Sequence, residues 1–252
     1  MLQPIDRRTF IADLGRGAFA LAIVSVAACS PGAGASSRPP GSAAAGSPPD
    51  RVAPSHDELA WRRVNLGFVS AYVLVRGGQA AVVDTGVAGS ARAIETGLTE
   101  VGVDWSAVSD VILTHKHNDH VGSAADVLEM ASNATGYAGA DDIPAISVPR
   151  ELTAVRDGDT VFALQIISTP GHTPGSISVF DPVAGLLVAG DALRTEGGRP
   201  ILPGADFTED MDEARRSVAK VGELMFETLL VGHGEPIEGG ASAAVAELAS
   251  QQ

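Results

Sequence analysis

The chain has 252 residues, 45% of them hydrophobic, and a formal net charge of −14 at pH 7. This length and composition are sufficient for a sizeable buried core. An acidic chain without a cluster of basic residues repels a phosphate backbone, so we expect no nucleic-acid partner. The single cysteine, Cys29, excludes an internal disulfide, and stability must therefore come from packing and from any bound metal.

The first 29 residues have the layout of an export signal. Arg7 and Arg8 precede an uncharged apolar run at 17–28, which is shorter than the roughly 20 residues that a membrane-spanning helix needs. The arginine pair resembles the twin-arginine signal, and "VAAC", ending at Cys29, resembles the lipobox of bacterial lipoproteins. We therefore predict export and lipidation of Cys29. The lipid would anchor the protein to the outer face of the bacterial cytoplasmic membrane or elsewhere in the cell envelope.

Composition divides the rest of the chain into two parts. Residues 30–57 are rich in proline, glycine, serine and alanine, which bury too little apolar surface to fold, so we predict a disordered tether. Residues 58–252 contain no second linker, and we expect them to form one domain.

In the first half of this domain, the β-rich runs 71–77 and 79–86 are separated by a glycine and predict a hairpin. Apolar residues at helical spacing predict a helix within 89–102. Residues 109–115 then predict a buried strand, and residues 120–132 predict a second helix.

The second half of the domain also contains predicted strands and helices, beginning with a turn at Asp157-Gly158. The apolar patterns predict two paired strands, a helix with an acidic first turn, a final strand and a closing helix, at 176–181, 185–191, 208–224, 228–234 and 240–250. Strands and helices in both halves predict an α+β fold, an αββα sandwich in which two sheets pack together with helices on the outer faces.

Five of the six histidines follow apolar strands. His115 and His117 lie two apart at the end of a strand, so an extended backbone points both to the same side. Asp119 and His120 follow where the chain turns into a helix. Other predicted strands end close to further imidazole and carboxylate groups, namely those of Asp84, His172, Asp191 and His233. Such a set at strand ends predicts a metal site.

The motif H-x-H-x-D-H at 115–120, together with the four other residues, resembles the metallo-β-lactamase fold superfamily of metallohydrolases, and in particular its glyoxalase II-like branch. The resemblance implies two metal ions. One would be held by His115, His117 and His172, the other by Asp119, His120 and His233, and Asp191 would bridge them. Ligands of this type suit zinc, and iron or manganese also accept them.

The resemblance also implies a mechanism. A metal-bridging hydroxide would attack a small-molecule substrate, and the metals would polarise its carbonyl group. Asp119 would orient the nucleophile and pass a proton to the leaving group. Asp84 would fix the orientation of the ligands by hydrogen bonds.

The substrate is narrowed only to a small ester, thioester, lactone or amide. The chain continues only briefly past His233, without room for the helical domain that binds glutathione in glyoxalase II, so we do not expect glutathione thioesters. Arg194 stands where lactonases of the superfamily carry a tyrosine. It is either a ligand for a substrate carboxylate or an exposed loop arginine.

Two other functions fit the same motif. The first is a mononuclear iron enzyme of the persulfide dioxygenase type. The second is a non-catalytic, metal-binding surface lipoprotein. The sequence makes no prediction about the oligomeric state.

The twin-arginine route carries folded proteins, so it would let a metal site assemble before export. We expect a variant in which Arg7 and Arg8 are both lysine to accumulate in the cytoplasm, while the unmodified protein reaches the cell envelope. Fractionation followed by immunoblotting measures the distribution. Unchanged export of the variant would show that the protein uses another route.

Overall fold

The computed structural model of the protein describes residues 58–252. The predicted export signal, Cys29 and the predicted tether at 30–57 lie outside these residues. Among the helices of the described region, none combines the length and the apolar character needed to cross a membrane.

Residues 58–252 form fourteen strands and five α-helices. The strands are β1 (Ala60–Asn65), β2 (Ser70–Arg76), β3 (Gln79–Val83), β4 (Val108–Leu113), β5 (Thr135–Gly139), β6 (Thr153–Val155), β7 (Thr160–Val161), β8 (Leu164–Ser168), β9 (Ile177–Asp181), β10 (Leu186–Val188), β11 (Arg194–Glu196), β12 (Arg199–Ile201), β13 (Thr228–Leu230) and β14 (Ile237–Glu238). The helices are α1 (Ala91–Glu100), α2 (Asn118–Val121), α3 (Ala124–Met130), α4 (Met211–Val221) and α5 (Ala241–Ser250).

The strands form two six-stranded sheets. The first has the order β1-β2-β3-β4-β5-β6, and the second has the order β14-β13-β10-β9-β8-β7. Strands β3 to β6 are parallel to one another, as are β10 and β13, while the other neighbours are antiparallel. The small hairpin β11-β12 stands apart from both sheets.

Three apolar clusters show how these elements are layered. The central cluster lies between the sheets and joins Leu74 and Ile112 of the first sheet to Ile166 of the second. Helices α1 and α3 cover the outer face of the first sheet through side chains such as Leu98. Helices α4 and α5 cover the outer face of the second sheet. Each sheet therefore buries both faces, which confirms the predicted αββα sandwich.

Most of the predicted elements are present. The hairpin β2-β3, helix α1, strand β4, the pair β9-β10, helix α4, strand β13 and helix α5 lie within the predicted ranges or overlap them closely. Asp210 caps α4 by accepting a hydrogen bond from the backbone N–H of Glu213, and Asp212 and Glu213 make its first turn acidic.

The single helix predicted at 120–132 is wrong, because the chain forms α2 and α3 with a break at Gly122-Ser123. At Gly122 the backbone packs against the backbone of Val87 and Ala88 so closely that a Cβ would collide with it. The Ser123 hydroxyl donates a hydrogen bond to the carbonyl of Val87 (2.7 Å) and accepts one from the N–H of Ser90 (2.8 Å). The 86–90 loop therefore determines where the helix is interrupted.

Candidate metal centre

The candidate site lies where strands from both sheets end. Strand β3 ends directly before Asp84, and the parallel strand β4 ends two residues before His115. In the second sheet, β10 leads to Asp191 and the parallel strand β13 leads to His233. Parallel neighbours end at the same edge of a sheet, so the fold brings residues that are far apart in sequence to one edge of the sandwich.

The structure brings all seven predicted ligands together. Three groups of three have ligand atoms that lie within 4.8 Å of one another, namely His115, His117 and His172, then His115, His120 and Asp191, and finally Asp119, His120 and His233. The first and third groups are the two ligand sets predicted above, and the second group joins them through Asp191.

Asp191 lies between the two predicted ligand sets. Its Oδ2 is 3.4 Å from His172 Nε2 and 3.2 Å from His233 Nε2. Its Oδ1 is 3.3 Å from His120 Nε2. Gly232 allows this arrangement, because a Cβ at that position would collide with both Asp191 and His120.

Asp84 orients two of the imidazoles. Its Oδ2 accepts hydrogen bonds from His120 Nδ1 and from the hydroxyl of Thr114, each at 2.8 Å, and its Oδ1 accepts one from the N–H of Thr114. Because the Thr114 hydroxyl donates its proton to Asp84, its oxygen is left to accept from His115 Nδ1 at 3.1 Å. In both histidines, Nε2 is therefore the nitrogen that faces the centre of the site.

Hydrogen bonds also orient the imidazoles of His233 and His172. His233 Nδ1 donates to the carbonyl of Phe68 at 2.7 Å. The Thr208 hydroxyl donates to the carbonyl of Gly204, so it accepts from His172 Nδ1 at 3.3 Å. His233 and His172 thus also present Nε2 to the centre.

Unpaired buried atoms show that the site fits a cation. Among the buried side-chain nitrogen and oxygen atoms of residues 58–252, three have no hydrogen-bond partner, and two of these, His115 Nε2 and Asp191 Oδ1, lie at this site. His117 Nδ1 is also 2.9 Å from His172 Nε2. A metal ion bound by both nitrogens would lie beside this pair. Buried polar atoms are normally satisfied, and a metal ion at this position would satisfy these atoms.

The electrostatics of the first ligand set favour neutral imidazoles. Burial lowers the pKa of His115 well below its ordinary value, and burial lowers the pKa of His172 to about 4. Neutral imidazole is the form that binds metal.

The second ligand set favours positive charge. The contacts of His233 with Asp119 and Asp191 raise the pKa of this histidine to about 10. Burial opposes a charge on His120, but the carboxylates of Asp191 and Asp84 outweigh it and hold its pKa well above the ordinary value. A divalent cation between these carboxylates would be stabilised by the same negative charges that favour protonated imidazoles.

This geometry agrees with a comparison against protein families. The model of the metallo-beta-lactamase superfamily matches residues 64–233. The chain belongs to this superfamily.

Individual superfamily members show how far the similarity extends. The probable metallo-hydrolase YflN of Bacillus subtilis is 31% identical over 201 residues, which cover 63% of this chain and 76% of YflN. The hydroxyacylglutathione hydrolase of Pseudomonas paraeruginosa is 33% identical over 153 residues, and the match covers 59% of this chain but only 54% of that protein. A solved metallo-beta-lactamase family protein of Thermus thermophilus has a TM-score of 0.62 at 22% identity, covering 77% of this chain and 78% of that chain, and so shares the fold.

Strands β1 and β2 hold the loop that carries His233 in this superfamily member. The N–H of Ser70 donates to the carbonyl of Gly232 at 2.9 Å, and the Tyr72 hydroxyl donates to that of Val231 at 2.8 Å. Arg63 donates to the carbonyl of Gly234 at 2.9 Å. Three hydrogen-bond donors of the first sheet therefore position His233, which follows a strand of the second sheet.

Asp142 is a buried residue beside the candidate site that no sequence pattern singles out. This carboxylate is fully buried, and its Oδ2 accepts hydrogen bonds from the N–H of Lys116 (2.9 Å) and the hydroxyl of Thr173 (2.5 Å). Its Oδ1 accepts one from the N–H of Gly175 at 2.9 Å. Asp142 thus ties the loop of His115 and His117 to the loop of His172. It belongs to no local motif, and its partners are 26 to 33 residues away, so only the folded chain reveals its position.

Arg194 lies at the edge of an open cavity beside the metal ligands. The cavity has a volume of about 580 Å³, and its lining includes Arg194, Asn118 and the ligands Asp119 and His233. Arg194 is exposed, and its Nε donates to the carbonyl of Leu202 at 3.2 Å. Lys116 Nζ instead pairs with Glu209 at 2.7 Å, so this lysine does not line the cavity.

We expect Asp142→Asn to weaken metal binding about 10- to 100-fold, because the NH2 group of asparagine cannot accept a hydrogen bond and one of the two ligand loops would lose its contact. The free energy of unfolding should fall by about 1–3 kcal/mol for the same reason. Zinc titration and urea denaturation measure the two effects. Asp141→Asn, at the exposed neighbouring position, is the matched control. Identical zinc affinity and stability in the two variants would contradict the role given to Asp142.

Proposed function

We propose that the protein is a metal-dependent hydrolase that uses two zinc ions to cleave a small ester, thioester, lactone or amide. One observation carries this proposal. Two separate sets of three ligands share the single carboxylate of Asp191, which contacts His172 of one set and both His120 and His233 of the other.

The donor set supports zinc at both positions. The first ion would be held by His115, His117 and His172, and the second by Asp119, His120 and His233, with Asp191 between them. Nitrogen and oxygen ligands of this kind suit zinc. Bound zinc lowers the pKa of its water ligand towards about 7 and polarises a carbonyl group.

Residues of the chain would then position the reactants. Asp119 lines the cavity, and its Oδ2 is only 3.2 Å from His233 Nε2. Its carboxylate would take a proton from the attacking water and later give that proton to the leaving group. Asp84 would act through His115 and His120, whose inner nitrogens it orients.

Arg194 would bind a carboxylate of the substrate. Its side chain is exposed at the edge of the cavity that contains Asp119. Its single hydrogen bond to Leu202 uses Nε and leaves the terminal nitrogens of the guanidinium to face a ligand.

The named relatives support hydrolysis. YflN is described as a probable metallo-hydrolase and aligns along most of its length. The similarity to hydroxyacylglutathione hydrolase supports the glyoxalase II-like branch and keeps thioesters among the candidate substrates. The match covers only 54% of that enzyme, so its named substrate is not carried over to this chain.

The two alternatives have less support. A mononuclear iron dioxygenase uses fewer ligands, whereas all seven predicted ligands converge here. A purely structural metal does not require an open cavity, yet His117, Asp119, His172, Asp191 and His233 all line one.

The proposal also includes a place of action. Lipidation at Cys29 would hold the enzyme on the outer surface of the membrane.

We expect the purified protein to contain about two zinc ions per chain and to hydrolyse at least one of nitrocefin, an acyl-homoserine lactone and a lactoyl thioester. Metal analysis and initial rates on the same sample measure both. His117→Ala should lower the rate at least about 100-fold, because it removes a ligand. His56→Ala, which changes the one histidine that is not a predicted metal ligand, is the control.

A chelator should abolish the activity, and added zinc should restore it. One iron per chain without any hydrolysis would favour the dioxygenase alternative. Full activity of His117→Ala would contradict a catalytic metal centre.

A further inference from the structure

We propose that the apolar part of the cavity lining binds an apolar acyl chain of the substrate. It consists of Phe68, Pro203 and Phe207, and we call it the aromatic wall. This inference rests on the proposed hydrolase function and narrows its substrate class. It points to esters, thioesters or lactones with a medium-length hydrocarbon chain rather than to those of small polar acids.

The exposure of the two phenylalanines is the first observation. Phe68 is 64% exposed and Phe207 is 73% exposed, although burial of a phenylalanine side chain is worth about 1.5–3 kcal/mol. Among residues 58–252, five large hydrophobic side chains are exposed, and these two are the aromatic members of that set. Both line the same cavity. Apolar surface gathered in a concave site is typical of ligand binding, whereas scattered exposed apolar residues need no explanation.

The position of the two rings is the second observation. Phe68 stacks on His233, with ring centroids 6.1 Å apart and an angle of 13° between the planes. Phe207 directly precedes Thr208, whose hydroxyl is 3.3 Å from His172. One phenylalanine is therefore tied to the second ligand set and the other to the first. A substrate whose carbonyl lies at the metal centre would place its acyl chain against these rings.

The size and polarity of the cavity are also suitable for a substrate with an apolar chain. Its volume of about 580 Å³ lies within the range of about 300–1,000 Å³ that is usual for small-molecule sites. The charged and imidazole groups of the lining are the metal ligands and Arg194, and the aromatic wall contains none of them. The reacting group and the apolar chain thus have separate surfaces in one cavity.

The test uses the zinc-loaded full-length protein and a series of acetyl, butanoyl, hexanoyl and octanoyl thioesters. We expect kcat/KM to rise with chain length by up to about fourfold per methylene. In Phe207→Ala, the ratio of kcat/KM for the octanoyl and acetyl substrates should fall about tenfold or more. Because the ratio compares two substrates on one enzyme, general damage to the metal centre cancels. Phe68→Leu, which keeps an apolar side chain, should preserve more of the ratio than Phe68→Ala.

A binding measurement gives a readout without turnover. Calorimetry with octanoate and acetate should show tighter binding of octanoate, and Phe207→Ala should reduce the difference. Met225→Ala, which removes an exposed apolar side chain outside this cavity, is the matched control and should retain both effects.

The outcomes separate the two proposals. If none of these thioesters and none of the substrates named above is hydrolysed, the proposed function fails. If substrates are hydrolysed but the octanoyl-to-acetyl ratio is close to one, or is unchanged in Phe207→Ala, the aromatic wall is not an acyl site and the hydrolase function still stands.

Discussion

Two buried carboxylates, Asp84 and Asp142, hold the loops that carry the metal ligands. Asp84 contacts His120 directly and reaches His115 through the hydroxyl of Thr114. Asp142 ties the backbone beside His117 to the loop of His172. A buried charge is costly unless it is paired and fully hydrogen-bonded. The backbone N–H groups and hydroxyls that satisfy these two carboxylates are therefore the same contacts that fix the geometry of the site. One constraint serves both stability and function.

The layers of the fold explain why the ligands meet. The parallel neighbours β3 and β4 of the first sheet end at one edge of the sandwich, and so do the parallel neighbours β10 and β13 of the second, so the loops that follow them meet there. Asp191 and His233 come from the second sheet, but the first hairpin fixes the His233 loop through donors such as Ser70 and Tyr72. Packing of the two sheets and assembly of the metal centre are thus coupled. The open cavity on the outer side of the ligands gives a substrate access to them.

Much of this arrangement can be predicted from the sequence, because it depends on local patterns. Hydrophobic periodicity marks most strands and helices, and the five histidines that follow apolar runs are residues that the structure brings together. Contacts between distant segments leave no such pattern. The hairpin between β7 and β8 turns at Phe162-Ala163, where both residues have positive φ although neither is typical of a turn. The interruption between α2 and α3 depends on the 86–90 loop, and the role of Asp142 depends on loops far away in sequence. The aromatic wall likewise joins Phe68 and Phe207, which are distant in the chain.

The central claim is that one bridging carboxylate joins two metal positions. Anomalous diffraction at the zinc absorption edge, on crystals of the protein grown with zinc, tests it most directly. The account predicts two anomalous peaks per chain, one enclosed by His115, His117 and His172 and the other by Asp119, His120 and His233, with Asp191 in contact with both. A single peak in a fully zinc-saturated crystal, or peaks at which Asp191 is not a ligand, would contradict it.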